Sequence, residues 1–141
     1  MRTALILEEL THSVIGAFFE VYRHLGYGFV EHLYVMALER ELRAKGHSVS
    51  REFAVLVRYK GEELGYQRLD LVVDSKLVVE VKSTHKLPPD APRQLYNYLK
   101  ATNLEVGLVL HFSPEGPKFY RQIHSLDRKA SVVSASSVAS G

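Results

Sequence analysis

The segment RLDLVVDSKLVVEVKS, residues 68–83, decides the predicted fold. Its apolar residues are typical of two buried β-strands, and residues 74–76 between them suit a hairpin loop. Three charged residues nevertheless lie within the apolar runs themselves, namely Asp70, Glu80 and Lys82. Burying an ionised side chain without a partner costs several kcal/mol. The charges must therefore neutralise one another or be balanced by something outside the chain.

The length of the hairpin loop decides whether the two carboxylates meet. With a three-residue loop, residue 73 pairs with residue 77, and Asp70 lies opposite Glu80 with Cβ atoms about 5 Å apart. A two-residue loop would place the carboxylates on opposite faces, because a slip of one residue reverses every side chain. Three-residue loops are a common class of hairpin. The convergent geometry is therefore compatible with the sequence but not required by it.

Two opposed carboxylates beside one ammonium group are half of a cation site. Mg²⁺ prefers oxygen ligands and often binds one or two carboxylates together with waters and a substrate phosphate. An adjacent ammonium can then orient the attacking water or help to deprotonate it, as in metal-assisted hydrolysis of a phosphodiester. The alternative is a partly buried ion pair between Asp70 and Lys82, since short E-x-K motifs also occur by chance.

The rest of the chain supplies helices and further strands. Apolar residues at spacings of three and four, with stop signals, predict helices at about 4–24, 30–45 and 91–102. Alternating or continuous apolar runs predict strands at about 47–60, 64–73, 77–82, 105–112 and 118–125. The order ααβββαββ predicts a mixed β-sheet flanked by helices, an α/β or α+β fold. We expect one domain over residues 1–126 and a flexible C-terminal tail over residues 127–141.

Composition bounds the functional class. The 141 residues are 46% hydrophobic and 24% charged, which is typical of a globular rather than a disordered chain. The absence of cysteine excludes disulfides and thiolate metal sites and fits a reducing compartment. No apolar run approaches the roughly 18 residues of a membrane span, so we expect a soluble cytoplasmic protein without a membrane partner. The net charge of +2 neither predicts nor excludes binding to nucleic acid.

Another acidic residue lies in the segment GYGFVEHLY, residues 26–34. On the predicted second helix, Glu31 is almost in line with Leu38, in the middle of the apolar stripe. One explanation is that its carboxylate stabilises the first turn of its own helix through the helix dipole. The other is that Gly26 and Gly28 form a tight entry that delivers Glu31 over the sheet, towards the acidic pair.

The same segment resembles the signature of the GxxExxY proteins. The matching residues are Gly28, Glu31 and Tyr34. The other landmarks of that family follow in order over about residues 8–124, as RLDLVVD, VVEVKS and QLYNYLKATNLEVGLVLHF. The GxxExxY proteins belong to the PD-(D/E)xK nuclease superfamily. The resemblance therefore implies a restriction-endonuclease-like core and a Mg²⁺-dependent nuclease, a hydrolase acting on DNA. In one departure, Leu69 precedes Asp70 where the name of the superfamily records a proline.

The resemblance also implies a role for each matching residue. Asp70, Glu80 and the backbone carbonyl of Val81 would bind the metal, which is Mg²⁺ or alternatively Mn²⁺. Lys82 would position the attacking water. Glu31 would hold the metal directly or through a water molecule.

Three further residues are candidates for substrate binding. Gln94 and Tyr98 match the Q-x-x-x-Y element of similar exonuclease domains in recombination helicases, where these residues contact DNA. They lie four apart on one predicted helix and are therefore neighbours, although a surface glutamine beside a half-buried tyrosine is the alternative. Arg68 would oppose Lys82 in the three-residue-loop register, where like charges repel unless a phosphate or another acid lies nearby. We therefore treat Arg68 as a candidate phosphate contact.

Two alternatives come from other functional classes. The first is a module with a nuclease fold that binds nucleic acid or a protein partner without cutting. The presence of all three charged residues argues against it, since a pure binder has no need of opposed carboxylates. The second is a structural homo-oligomer whose charges form an internal salt-bridge network. The expected partner is a nucleic acid, with DNA favoured, and a homo-oligomer or protein partner stays open.

Overall fold

A computed structural model describes residues 7–125 and arranges them as a five-stranded mixed sheet with helices on its faces. The helices are α1 (Glu8–Leu25), α2 (Glu31–Ala44) and α3 (Ala91–Thr102). The strands are β1 (Val49–Tyr59), β2 (Glu62–Val73), β3 (Leu77–Lys82), β4 (Val106–Ser113) and β5 (Gly116–Ile123). The order ααβββαββ and the flanked mixed sheet confirm the predicted fold class. The predicted tail, residues 127–141, the domain boundary at residue 126 and the start of the predicted first helix lie outside the described residues.

The strands are ordered β1-β2-β3-β4-β5 across the sheet. Neighbouring strands are antiparallel except β3 and β4, which are parallel. Parallel neighbours need a crossover connection, and α3 lies in the connection between them. None of the helices within residues 7–125 is long and apolar enough to cross a lipid bilayer.

Two apolar cores lie on opposite faces of the sheet. The α1–α2 core joins residues of these helices to strand residues that include Leu71, Val79 and Val81. The α3 core joins α3 to the other face, through residues that include Val72 and Val78. The central strands β3 and β4 are therefore buried on both sides, as strands beside a parallel neighbour usually are. A charged residue on these strands has no easy access to water.

The hairpin between β2 and β3 has the longer of the two loops considered. Its ladder pairs Val73 with Leu77, Val72 with Val78 and Leu71 with Val79. Residues 74–76 therefore form the three-residue loop, in which Asp74 and Ser75 both have positive φ angles, of 53° and 57°. This register directs Asp70 and Glu80 towards each other.

The hairpin of β1 and β2 extends far beyond the point at which β2 stops pairing with β3. Its pairing runs from Val49 with Val73 to Tyr59 with Glu62, whereas β3 pairs with only residues 71–73 of β2. We call residues 53–68 the β1–β2 arm. The arm turns at residues 60 and 61, which have the positive φ angles, 52° and 82°, of a tight hairpin turn.

The arm twists sharply where it leaves the sheet. Residues two apart on a strand normally share a face, yet Leu71 belongs to the α1–α2 core and Leu69 to the α3 core. On β1, Glu52 has a positive φ of 55° between the residues paired with Leu71 and Leu69. The twist therefore lies at Asp70 and Glu52, and it turns the arm, with Val55, against α3.

Gly107 allows α3 to pack closely on β4, so we predict that Gly107→Ala destabilises the protein. A Cβ atom at residue 107 would lie 2.7 Å from Cδ1 and 3.1 Å from Cγ of Leu95. We expect the free energy of unfolding to fall by about 1–3 kcal/mol, because overpacking a core forces shifts in side chains and backbone. Chemical denaturation provides the measurement.

The matched control is Gly65→Ala on the arm, where an added Cβ meets nothing within 4 Å. We expect this variant to stay within about 0.5 kcal/mol of the parent. Equal stability of the two variants would contradict the close approach of α3 to β4.

Candidate active site

Asp70 and Glu80 lie where β2 and β3 separate. The backbone ladder between the strands ends at Leu71 and Val79. Beyond it, the backbone N–H of Asp70 donates to Oε2 of Glu80 at 3.0 Å. The backbone N–H of Val81 donates to Oδ2 of Asp70 at 2.7 Å. The two carboxylates therefore replace the backbone ladder at this point, and each one bonds to the strand that carries the other.

Glu80 is buried and Asp70 is half-buried, with little positive charge nearby. Glu80 is only 9% exposed. Burial, and then the charge of Asp70, raise the pKa of Glu80 to about 8. Burial also raises the pKa of Asp70, while the hydrogen bond from the backbone of Val81 opposes that rise. Two carboxylates held this way favour either a proton or a cation between them.

Lys82 lies near the pair but does not neutralise it. Its charge lowers the pKa of both Asp70 and Glu80. Within residues 7–125, however, no carboxylate lies close enough to Lys82 to form an ion pair. The predicted alternative of an ion pair between Asp70 and Lys82 is therefore absent from the described part of the chain.

Glu31 lies in the same region but belongs to a helix rather than to the sheet. It is the first residue of α2, and its Oε2 accepts the backbone N–H of Ser83 at 3.0 Å. Ser83 directly follows β3, so the start of α2 lies against the end of that strand. The charge of Glu31 contributes to the raised pKa of Asp70 and Glu80. The structure therefore brings Glu31 to the acidic pair.

Tyr34 holds the loop that delivers Glu31. Its hydroxyl donates to the carbonyl of Gly26 at 2.6 Å and accepts the N–H of Phe29 at 3.2 Å. Its ring is fully buried and stacks on Phe112, with 3.8 Å between centroids. Gly26 and Gly28 have positive φ angles of 68° and 119°, which favour glycine. Tyr34 thus ties the loop to the α1–α2 core, three residues after Glu31.

Two of the three predicted substrate contacts, Gln94 and Tyr98, lie one turn apart on α3. Tyr98 is half-buried on α3, and burial together with the charges of Glu80 and Asp70 raises its pKa. Its ring therefore lies near the acidic pair. Gln94, one helical turn earlier, is exposed.

Arg68 lies away from Lys82, contrary to the predicted register. It pairs with Ala54 of β1 and is 71% exposed, with a guanidinium nitrogen 3.9 Å from Glu52. The expected opposition to Lys82 does not occur because the ladder between β2 and β3 ends at Leu71. The role of Arg68 as a phosphate contact stays a prediction.

His111 is a neighbour of Lys82 that sequence reasoning missed. It pairs with Lys82 across β3 and β4 and is only 2% exposed. Its Nε2 lies 2.8 Å from the carbonyl oxygen of Thr84 and 3.1 Å from the hydroxyl of that residue. The histidine thereby fixes the chain that follows the site. A polar residue inside the apolar strand VGLVLHFS was the available signal.

The carboxylate oxygens of Asp70 and Glu80 suit a hard divalent cation. The hydrogen bonds to backbone N–H groups use Oε2 of Glu80 and Oδ2 of Asp70, and each ionised carboxylate keeps further acceptor capacity. In the described range, no three His, Cys, Asp or Glu side chains form a group that could hold a metal ion. A cation here would therefore have the carboxylates of Asp70 and Glu80 as its side-chain ligands. Mg²⁺ suits such a set, because it commonly keeps several waters and binds one or two carboxylates.

A solved structure shares this fold, and a second one is similar over part of the chain. A structure described as that of SSO0001 is 21% identical, with a TM-score of 0.54, and the match covers 72% of this chain and 53% of that one. An alkaline exonuclease (LHK-Exo) from Laribacter hongkongensis is 13% identical, with a TM-score of 0.43, covering 70% of this chain and 61% of that one. The chain thus spans about half to three fifths of these structures. No curated protein matches the chain significantly.

One family model covers most of the chain. It describes the PD-(D/E)XK nuclease superfamily and matches residues 8–123, from the first helix to the last strand. The matched range contains the acidic pair, Lys82 and Glu31. The chain therefore belongs to the PD-(D/E)XK nuclease superfamily.

Proposed function

We propose that the protein is a metal-dependent nuclease that hydrolyses the phosphodiester bonds of DNA. The observation that carries the proposal is the convergence of half-buried Asp70 and buried Glu80, neither of which forms an ion pair within residues 7–125. Such a pair is costly unless a cation balances it. On the motif of Gly28, Glu31 and Tyr34, we further place the chain among the GxxExxY proteins.

Asp70, Glu80 and the backbone carbonyl of Val81 would hold the cation, Mg²⁺ or Mn²⁺. A divalent cation bound there supplies Lewis acidity to a phosphoryl oxygen and stabilises the charge of the transition state. Glu31 already accepts the N–H of Ser83, so it fixes the end of β3 as well as adding negative charge. That bond supports the arrangement in which Glu31 acts on the metal through a water molecule.

The other residues act on water and substrate. The ammonium of Lys82, which has no carboxylate partner among residues 7–125, would orient the attacking water by donating a hydrogen bond to it. The phenol of Tyr98 is protonated at neutral pH, since its ordinary pKa is 10.0 and burial raises the pKa further. Its hydroxyl would then donate to a phosphate oxygen, with the amide of Gln94 beside it.

We predict that Lys82→Ala and Asp70→Asn each reduce Mg²⁺-dependent cleavage of DNA by at least about 100-fold, because they remove the group that orients water and a ligand of the cation. Asparagine is chosen at residue 70 because its side-chain oxygen can still accept the N–H of Val81. The assay uses labelled single-stranded and double-stranded DNA with Mg²⁺, Mn²⁺ or a chelator.

Lys76→Ala is the control for cleavage. Lys76 is exposed in the loop at the far end of β3 from Lys82, so we expect unchanged cleavage. Parental rates in both Lys82→Ala and Asp70→Asn would remove the assignment of these residues.

We also predict that stability without divalent cations falls as the pH rises. The pKa of Glu80 is raised from 4.5 to about 8 in the folded protein. Between these values the folded state retains a proton that the unfolded state has lost, so each rise in pH favours unfolding. Glu80→Gln removes this titration and keeps an oxygen acceptor for the N–H of Asp70. The thermal unfolding midpoint of this variant should therefore change less with pH than that of the parent. Near pH 9 it should be higher than the parent's.

Thermal unfolding at several pH values, with and without Mg²⁺, provides the measurement. Mg²⁺ should stabilise the parent above pH 7 and leave Glu80→Gln nearly unchanged, because binding to the folded state alone raises stability. Glu63→Gln, at an exposed position on the arm, should behave as the parent. Identical pH profiles and identical responses to Mg²⁺ in the parent and Glu80→Gln would contradict the role of Glu80.

A further inference from the structure

A groove of about 590 Å³ lies between the β1–β2 arm and α3. Val55 and Val57 of the arm and Ala101 of α3 give it an apolar lining. The ring of Tyr98 also lines it. An apolar wall beside an aromatic ring is the kind of surface on which unpaired bases stack.

The groove carries positive charge and no acidic residue. Arg58 on the arm and Lys100 on α3 both line it, and none of its lining residues is an aspartate or glutamate. Both cations are exposed. Neither one forms an ion pair with a carboxylate within residues 7–125. The ammonium of Lys100 lies 5.7 Å from the centroid of the Tyr96 ring, a contact that leaves its charge in place. Two cations without a carboxylate partner on facing walls complement the phosphates of a nucleic-acid backbone.

The groove lies close to the acidic pair. Gln67 lines the groove on β2, and Asp70 follows three residues later on the same strand. Three residues of strand span only about 10 Å. On the other wall, Tyr98 belongs both to the groove and to the electrostatic surroundings of Asp70 and Glu80. The end of the groove at Gln67 therefore lies about 10 Å from the acidic pair along β2.

We propose that this groove binds a single strand of DNA and leads it to the acidic pair, with Arg58 and Lys100 on its phosphates. The proposal rests on the proposed function, since the strand in the groove is the substrate. A single strand is favoured over a duplex because only unpaired bases can turn their faces to Tyr98 and the apolar wall. In a duplex those faces are stacked inside the helix, and the apolar lining would gain no contact.

Binding measured without cleavage tests the groove. The probe is a fluorescent thymidine oligonucleotide, and its anisotropy is followed in the presence of a chelator over a series of salt concentrations. We expect Arg58→Gln and Lys100→Gln each to weaken binding about threefold to tenfold at low salt. Each should also reduce the slope of log K against log salt by about 0.7, the value for one phosphate contact on a single strand. Lys76→Gln, at the far end of the sheet, should change neither quantity.

A blunt duplex of the same sequence is the second probe, and we expect it to bind at least about tenfold more weakly than the single strand. Equal or tighter binding of the duplex with the same dependence on Arg58 and Lys100 would overturn the single-strand assignment. An oligouridine strand separates DNA from RNA, and a preference for it would overturn the DNA assignment. Binding that is unchanged by both Arg58→Gln and Lys100→Gln would overturn the assignment of the groove as the binding site.

A cleavage assay distinguishes a failure of the groove proposal from a failure of the proposed nuclease function. If Arg58→Gln and Lys100→Gln weaken binding but the parent cuts nothing with Mg²⁺ or Mn²⁺, the proposed function fails and the groove remains a binding site. If the parent cuts DNA while both variants keep its affinity and its KM, the groove proposal fails and the nuclease remains.

Discussion

The exchange of hydrogen bonds between Asp70 and Glu80 is the interaction on which the rest of the site depends. The strands β2 and β3 stop pairing after Leu71 and Val79, and each strand then donates an N–H to the carboxylate of the other. Backbone donors in a buried region need acceptors, and here acidic side chains supply them. The bonds that end the ladder are therefore also the bonds that bring two carboxylates together. The pairing of the two carboxylates thus follows from the way the sheet opens.

This arrangement has a cost in stability, and the surrounding layers offset it. Burial raises the pKa of both carboxylates, and nearby negative charge adds to the rise, from Glu31 at Asp70 and from Asp70 and Glu31 at Glu80. The ionised pair therefore destabilises the fold. The pair lies on a sheet that is packed on both faces, by the α1–α2 core and by the α3 core. Rigid elements packed from two sides hold unfavourable charges in place, as a preorganised site requires. Tyr34 and Glu31 extend this support to the loop before α2.

The sequence predicted the elements of the fold but only part of the site. Periodicity located all eight described elements because the helices and central strands each bury a regular set of apolar residues. The length of the hairpin loop stayed undecided, since it is shown by the pairing of Val73 with Leu77, which an apolar run does not reveal. The expected position of Arg68 was wrong because periodicity does not reveal where a ladder ends. The contacts of Ser83 and His111 depend on distant parts of the chain, which have no signature in local patterns.

The twist of the β1–β2 arm links its orientation to the acidic pair. The twist lies at Asp70 and at Glu52 opposite it, where Glu52 takes a positive φ of 55°. An extended two-stranded ribbon is only marginally stable by itself, so contact of Val55 with the α3 core supports the arm. Asp70 thus has two structural roles. Its carboxylate accepts a hydrogen bond at the end of the β2–β3 ladder, and its backbone lies at the twist of the arm. Any movement of the arm against α3 acts directly on the carboxylate that the site depends on.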